Sequence, residues 1–267
     1  MIDIIYAISL GIIQGITEWI PVSSEAITAI FYAWFFEQPV DTAITFALWL
    51  HAGTGIAATI VFREKISGIL KELRKNPTHL SSTMRFLITS TFISSALGLT
   101  IITITRTIPS DLISSMMLLV GGTLYIVGIS QIKKKSPAIN YRYQEDLKLR
   151  DGLLVGIAQG LSVIPGISRS GSTISTLLFL RLEKKQALEL SFLLSIPASL
   201  SVAIFSSFSL PVFSITTALI SFISALLTGI FTMRFFLKLT QEINFGLFAI
   251  GLGILIILGS VIELLFL

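Results

Sequence analysis

Cysteine is absent from all 267 residues, which excludes a disulfide framework, a thiolate nucleophile and iron–sulfur ligation. Histidine occurs twice, at His51 and His79, too rarely for a His-rich metal cluster. Charged residues make up only 13% of the chain, against about a quarter in ordinary soluble domains. The first residues, MIDIIYA, carry no basic n-region, so no cleaved signal peptide is expected. Apolar residues fill the space instead: the chain is 53% hydrophobic with a mean hydropathy of +0.88. That composition places it among multi-pass membrane proteins. The net charge of +4 falls in connecting stretches and speaks to topology; no nucleic-acid partner is expected.

Against this background one polar phrase occurs twice. Residues 11–24 read GIIQGITEWIPVSS and residues 156–170 read GIAQGLSVIPGISRS. Gly11 and Gly156, Gln14 and Gln159, Gly15 and Gly160, Thr17 and Ser162, and Ser23 and Ser168 pair at a constant offset of 145. The first copy holds an acid, Glu18, and the second a base, Arg169. A duplicated, interrupted apolar segment of this kind is the sequence signature of a composite site at membrane mid-depth.

Six stretches are long and apolar enough to span a bilayer as helices: 43–62, 85–105, 112–130, 187–208, 213–234 and 245–266. Four more, at 4–16, 26–36, 152–164 and 172–182, are too short. They form two pairs, broken by Pro21–Ser24 and Pro165–Ser172, where proline removes a backbone donor and restrains its predecessor. Each pair reads as a re-entrant helix–loop–helix hairpin. The expected fold is therefore an all-α polytopic membrane protein, one domain over 1–267, with inverted repeat halves at 1–135 and 150–267. A charged loop, 131–151, joins them. Three crossings per half put 17 of the 19 Lys and Arg on one side. By the positive-inside rule that side is cytoplasmic and both termini are external. The hairpins then enter from opposite faces and their tips can meet.

Glu18 on a membrane helix costs roughly 2.5–3.5 kcal/mol, so it either reaches solvent at the interface or serves as an acid/base group or metal ligand. Arg169 lies within Pro165-Gly166-Ile167-Ser168-Arg169-Ser170-Gly171-Ser172-Thr173. Hydroxyls, a guanidinium and a helix N-terminus suit an anion, phosphate above all; the alternative is a counter-ion for Glu18 beside capping serines. Ser23 and Ser24 are caps or, given an activating base, a nucleophile. Gln14 and Gln159 bond between helices or to a ligand. Glu25 is read as a cap-region charge, His51 as a hydrogen-bonded packing residue inside a span, and Tyr141-Arg142-Tyr143 as a solvated or headgroup-facing loop.

These motifs resemble those of the undecaprenyl-diphosphate phosphatase, or bacitracin-resistance, family. Gln14…Glu18 followed by Pro21-Val22-Ser23-Ser24 resembles its [E/Q]xxxE…PVSS motif. Pro165 to Thr173 resembles its PGxSRSGxT motif, and Ser191 to Pro197 its SFLLxxP stretch. The resemblance covers essentially the whole chain. It implies hydrolysis of a polyprenyl diphosphate to the monophosphate carrier lipid, dependence on a divalent cation (Mg²⁺ or Ca²⁺), a cell-membrane location and a homodimer. It also implies roles. Glu18, Ser24 and Arg169 would be catalytic. Ser23, Ser168, Ser170, Gly171, Thr173 and Gln159 would bind the diphosphate. Glu18 and Gln14 would meet the metal. The chain departs from the family in two places: the first acidic position is Gln14, and the family histidine three residues after the second serine is Ile27. The reading is a polyprenyl-diphosphate phosphatase; the alternative is a lipid-phosphate transporter or an impaired binder.

Overall fold

The computed structural model describes residues 2–37, 39–75, 80–104, 118, 121–122, 125–126, 129, 141–164, 167–207, 214–242 and 245–266. Among them are ten α-helices and no strand. They are α1 (Ile2–Thr17), α2 (Ser24–Phe35), α3 (Val40–Val61), α4 (Arg63–Lys75), α5 (Ser82–Ile104), α6 (Leu149–Leu161), α7 (Arg169–Phe179), α8 (Lys184–Ser207), α9 (Ile215–Glu242) and α10 (Phe245–Phe266). Four of these, α3, α5, α8 and α9, are long and apolar enough to cross a membrane. Most of the expected span at 112–130 lies outside the described residues, as does the first half of the linker.

Both motif copies sit between two short helices, and the same device starts the second helix each time. Ser23, in extended conformation, accepts a hydrogen bond from the Ala26 N–H at 3.3 Å and caps α2. Ser168, also extended, accepts from the Gly171 N–H at 3.1 Å and caps α7. Serine fits because its short hydroxyl reaches a first-turn N–H that has no helical partner. The residue after each cap, Ser24 and Arg169, is the first of its helix. Helix α7 ends at Phe179 with Leu180 as its cap, and Arg181 then takes a left-handed φ of 62°. The Leu182 N–H then reaches back to the Leu177 carbonyl at 3.0 Å, a Schellman closure.

The paired glycines set the helix packing. Helix α1 lies along α9, α6 along α5, and α3 against α8. A Cβ on Gly11 would fall 2.5 Å from the Ser221 carbonyl oxygen of α9. On Gly156 and Gly160 it would fall 2.8 and 2.9 Å from the Cβ atoms of Ile93 and Leu97 in α5. With no side chain between them the backbones approach closely, as small-residue helix contacts in lipid require. Hydroxyls then reach across to carbonyls of the neighbouring helix: Ser224 to Ile8 at 2.9 Å, Thr232 to Gly15 at 2.6 Å, and Ser90 to Gly152 at 3.1 Å.

The interior is unusually polar and the exterior unusually greasy. Gln14, Thr28, Ser191 and Ser195 are fully buried, while Phe92, Leu99, Phe205 and Phe231 stand about 70% exposed. Apolar surface on that scale needs lipid rather than water around it. Trp19 bridges the two levels of organisation. It is buried in the larger core cluster, meets Phe192 edge-on at 5.2 Å between ring centroids, and donates its indole N–H to the Gly229 carbonyl at 3.0 Å.

The described end of the linker is pinned, not loose. Arg142 donates to both Asp151 carboxylate oxygens, at 3.2 and 2.5 Å, and to the Asp146 carbonyl at 2.7 Å. Its backbone pairs with Arg181 and Glu183. Burial works against ionisation of Asp151, but the Arg142 guanidinium and the Lys148 N–H outweigh it and hold that carboxyl below its ordinary range. The solvated reading of Tyr141–Tyr143 therefore gives way, for Arg142, to a clamp between the linker and the start of α6.

Candidate active site

Five helices or their ends converge on one carboxylate. Glu18 follows the last turn of α1 and is 5% exposed. Its Oε1 accepts from the Arg169 guanidinium at 2.5 Å and from the Ser199 hydroxyl at 3.4 Å. Its Oε2 accepts from the Gln14 amide at 2.8 Å and from the Ser24 hydroxyl at 2.9 Å. His51 Nε2 stands 3.4 Å from the same Oε2. These partners come from α1, α2, α3, α7 and α8. A buried carboxylate is tolerable only when it is paired and hydrogen-bonded in this way.

The contacts have local reasons. Gln14 and Glu18 are four residues apart, so α1 stacks them on one face. Thr28 steadies Gln14 by donating to its carbonyl oxygen at 3.2 Å. Arg169, at the start of α7, also donates to the Ser191 carbonyl of α8 at 3.2 Å. Ser170 donates to the Ile20 carbonyl at 2.8 Å, so the two motif copies touch through a side chain and a backbone as well as through the ion pair. Glu25 lies within electrostatic range of both His51 and Glu18.

The sequence-predicted residues separate into two groups. Glu18, Ser24, Arg169 and Gln14 come together. Ser23 and Ser168 are helix caps, Ser168 also meeting the Ser170 hydroxyl at 3.3 Å, and Gly171 supplies the N–H that Ser168 accepts. Thr173 is engaged with Ser191 at 2.6 Å and with the Arg169 carbonyl at 2.9 Å. Gln159, despite its symmetric place in the repeat, donates to Ser94 of α5 at 3.0 Å and is not a hydrogen-bond partner of the Glu18 cluster. Three members escaped the sequence reading of the site: His51, Ser199 and Thr28. Only His51 carried a signal, as a titratable group in an apolar helix.

Chemically, Ser24 and Glu18 form a hydroxyl–carboxylate pair at hydrogen-bond distance, the arrangement of a nucleophile and its base. Arg169 is a planar cation able to grip two oxygens of a phosphate. No three His, Cys, Asp or Glu converge as a metal cage among the described residues. A hard cation wants six or more oxygens. Glu18 and the Gln14 carbonyl offer three at most, so this donor set fits a cation only if a ligand or water brings the others.

Fold and site together define an all-helical membrane protein whose buried carboxylate meets an arginine from the second copy of a repeated motif. The family model described as Bacitracin resistance protein BacA matches residues 7–260, and the chain belongs to that family. Among its relatives, the undecaprenyl-diphosphatase of Methanococcoides burtonii is 34% identical over 266 residues, covering 97% of this chain and 98% of that one. That of Saccharolobus solfataricus is 33% identical over 97% and 96% of the two chains. That of Treponema denticola is 36% identical over 94% and 96%.

Removing one partner of the Glu18–Arg169 pair leaves the other buried and unpaired. Arg169→Met is expected to cost about 3–5 kcal/mol of stability, and the double variant Glu18→Leu/Arg169→Met to recover most of it. Unfolding in detergent checks this; a single variant as stable as the wild type contradicts it.

Proposed function

We propose that the chain hydrolyses an undecaprenyl-type diphosphate to the lipid monophosphate and inorganic phosphate. The observation that carries this reading is the Glu18 carboxylate held between Ser24 at 2.9 Å and Arg169 at 2.5 Å. The names of the relatives support the substrate class.

The diphosphate competes with Glu18 for the Arg169 guanidinium. Once Arg169 turns to the phosphoryl oxygens, Glu18 loses its counter-ion and becomes a stronger base. Its Oε2 then takes the proton of the nucleophile, either the Ser24 hydroxyl or a water, as oxygen attacks the terminal phosphorus. The bond from that phosphorus to the bridging oxygen breaks, and the bridging oxygen leaves on the lipid monophosphate. If Ser24 attacks, water cleaves the phosphoserine in a second step. Arg169 and the N-terminus of α7 stabilise charge on the equatorial oxygens.

His51 supplies the imidazole that Ile27 withholds. The Ala47 carbonyl, 3.0 Å from Nδ1, can only accept, so Nδ1 carries a hydrogen there. That leaves Nε2 as the atom facing Glu18. In this reading His51 is a positioning residue, acting on substrate through Glu18.

The same proposal includes six spans with two re-entrant hairpins, α1–α2 and α6–α7. It also includes the inverted halves 1–135 and 150–267, external termini and cytoplasmic basic loops. The swapped contacts of α1 with α9 and of α6 with α5 fit two interlocked halves. The Glu18 cluster is built from residues of one chain, and the proposal keeps the homodimer implied by the family resemblance. Glu18 and the Gln14 carbonyl would hold a divalent cation together with oxygens of the diphosphate. When bound it screens charge on the phosphoryl oxygens.

Phosphate-release kinetics in detergent or vesicles test the roles. Glu18→Gln and Ser24→Ala are expected to lower kcat about 10²–10⁴-fold. His51→Gln should lower kcat at least about tenfold, and adding Ile27→His should restore part of it. Full kcat in His51→Gln removes the imidazole from the account. Calorimetric titration tests the cation: Mg²⁺ should bind saturably only when a hydrolysis-resistant lipid diphosphonate is present. Saturable binding to the chain alone would contradict the need for oxygens of the diphosphate.

A further inference from the structure

Among the described α-helices, α4 alone has no buried residue. Its sequence, REKISGILKELRK, sorts by face. At 100° per residue, Ile66, Ile69, Leu70 and Leu73 fall on one arc of about 100°. Arg63 and Arg74 follow along one border of that arc with Lys71 beyond them, and Lys65 lies on the other border with Glu72 beside it. Glu64 falls opposite the apolar arc. Leu70 and Leu73 are 59% and 42% exposed, although the core packs against Ile66.

The two ends are held in place. Phe62, buried just before α4, anchors its start, and Lys65 pairs with Glu189 of α8. Glu72 accepts from the Ser81 N–H at 2.6 Å and from its hydroxyl at 3.1 Å. Along the cationic border runs an open groove of about 350 Å³, lined by Thr59, Arg63, Ile66, Leu70, Lys71 and Arg74, with Ser67 between them. Arg63 meets Glu64 at 3.6 Å in an exposed pair. Lys71 and Arg74 have no ion-pair partner among the described residues.

We propose that α4 lies in the membrane interface and that its groove seats the phosphate headgroup of an anionic glycerophospholipid. Cations on the border between an apolar face and water sit at headgroup depth, with their aliphatic stems in the apolar layer. Glu64 lies on the far face, away from lipid phosphates, and Glu72 is held by Ser81. Lys71 and Arg74 take the headgroup phosphate, and an acyl chain runs over Ile66 and Leu70. Charge complementarity identifies the occupant: the groove offers unpaired cations beside an apolar floor and no acid. This site is separate from the Glu18–Arg169 centre, so its failure leaves the hydrolase reading intact.

The absence of cysteine makes single spin labels simple to place on the full chain. In nanodiscs of phosphatidylcholine and phosphatidylglycerol, a label at Leu70→Cys should collide with dissolved oxygen. A label at Gly68→Cys, where nothing lies within 4 Å of an added Cβ, should collide with an aqueous nickel reagent. Native mass spectrometry should show phosphatidylglycerol retained over phosphatidylcholine by the wild type. In Lys71→Gln/Arg74→Gln that preference should fall roughly 30-fold, with thermal unfolding unchanged. Equal aqueous exposure of both labels overturns the interfacial placement. Undiminished phosphatidylglycerol retention in the double variant, or polyprenyl monophosphate displacing phosphatidylglycerol from the wild type, overturns the assigned occupant.

Discussion

A carboxylate and a guanidinium meet where water does not solvate them. Glu18 is 5% exposed and Arg169 reaches it at 2.5 Å. Either charge alone would be costly in so buried a place; together they are tolerable, and three further donors satisfy the carboxylate. Gln14, Ser24 and Ser199 hydrogen-bond to it, with His51 facing it. The arrangement holds five helices to one point, and it sets what the site can do. In the proposed reading Glu18 and the diphosphate compete for Arg169, and Glu18 acts as a base once the guanidinium has turned to the phosphoryl oxygens. A diphosphate that takes the arginine would release the base in the same event.

The rest of the fold makes that meeting possible. Two serine caps start α2 and α7 at equivalent places, so Ser24 and Arg169 each open a helix at a motif tip. The glycines of each motif copy let α1 and α6 press against α9 and α5. Trp19 fixes the first tip to α9 through the Gly229 carbonyl. Polar groups gather inside and large apolar side chains face outward, the distribution a bilayer imposes.

Much of this was legible before any coordinates. The short segments expected at 4–16, 26–36, 152–164 and 172–182 became α1, α2, α6 and α7, because Pro and Ser interrupt an apolar pattern in a way few structures but a turn can use. The opposite charges in matching motifs pointed to one composite site, with the pairing of Glu18 and Arg169 as the alternative to phosphate binding by the arginine. What escaped depended on helix rotation, which composition does not encode. Ser199 lies 181 residues from Glu18, and only the packing of α8 aims it there. Gln159 shares its repeat position with Gln14 yet faces Ser94, since α6 packs on α5 and not on the first motif. Helix α9 runs on through Arg234 and Lys238 to Glu242, beyond the expected end at 234, because charged residues do not stop a helix. The pattern of α4 was present in the sequence, at Ile66, Ile69, Leu70 and Leu73, but a basic stretch between spans read as a loop.

The central claim is that Glu18 competes with the diphosphate for Arg169. The most direct measurement is the affinity of the wild type and of Glu18→Gln for a hydrolysis-resistant lipid diphosphonate, with divalent cations chelated. The account predicts about tenfold tighter binding by the variant, since the neutral amide no longer holds the guanidinium. Weaker binding by Glu18→Gln would contradict it, and would make Glu18 a group that holds the substrate and not one that the substrate displaces.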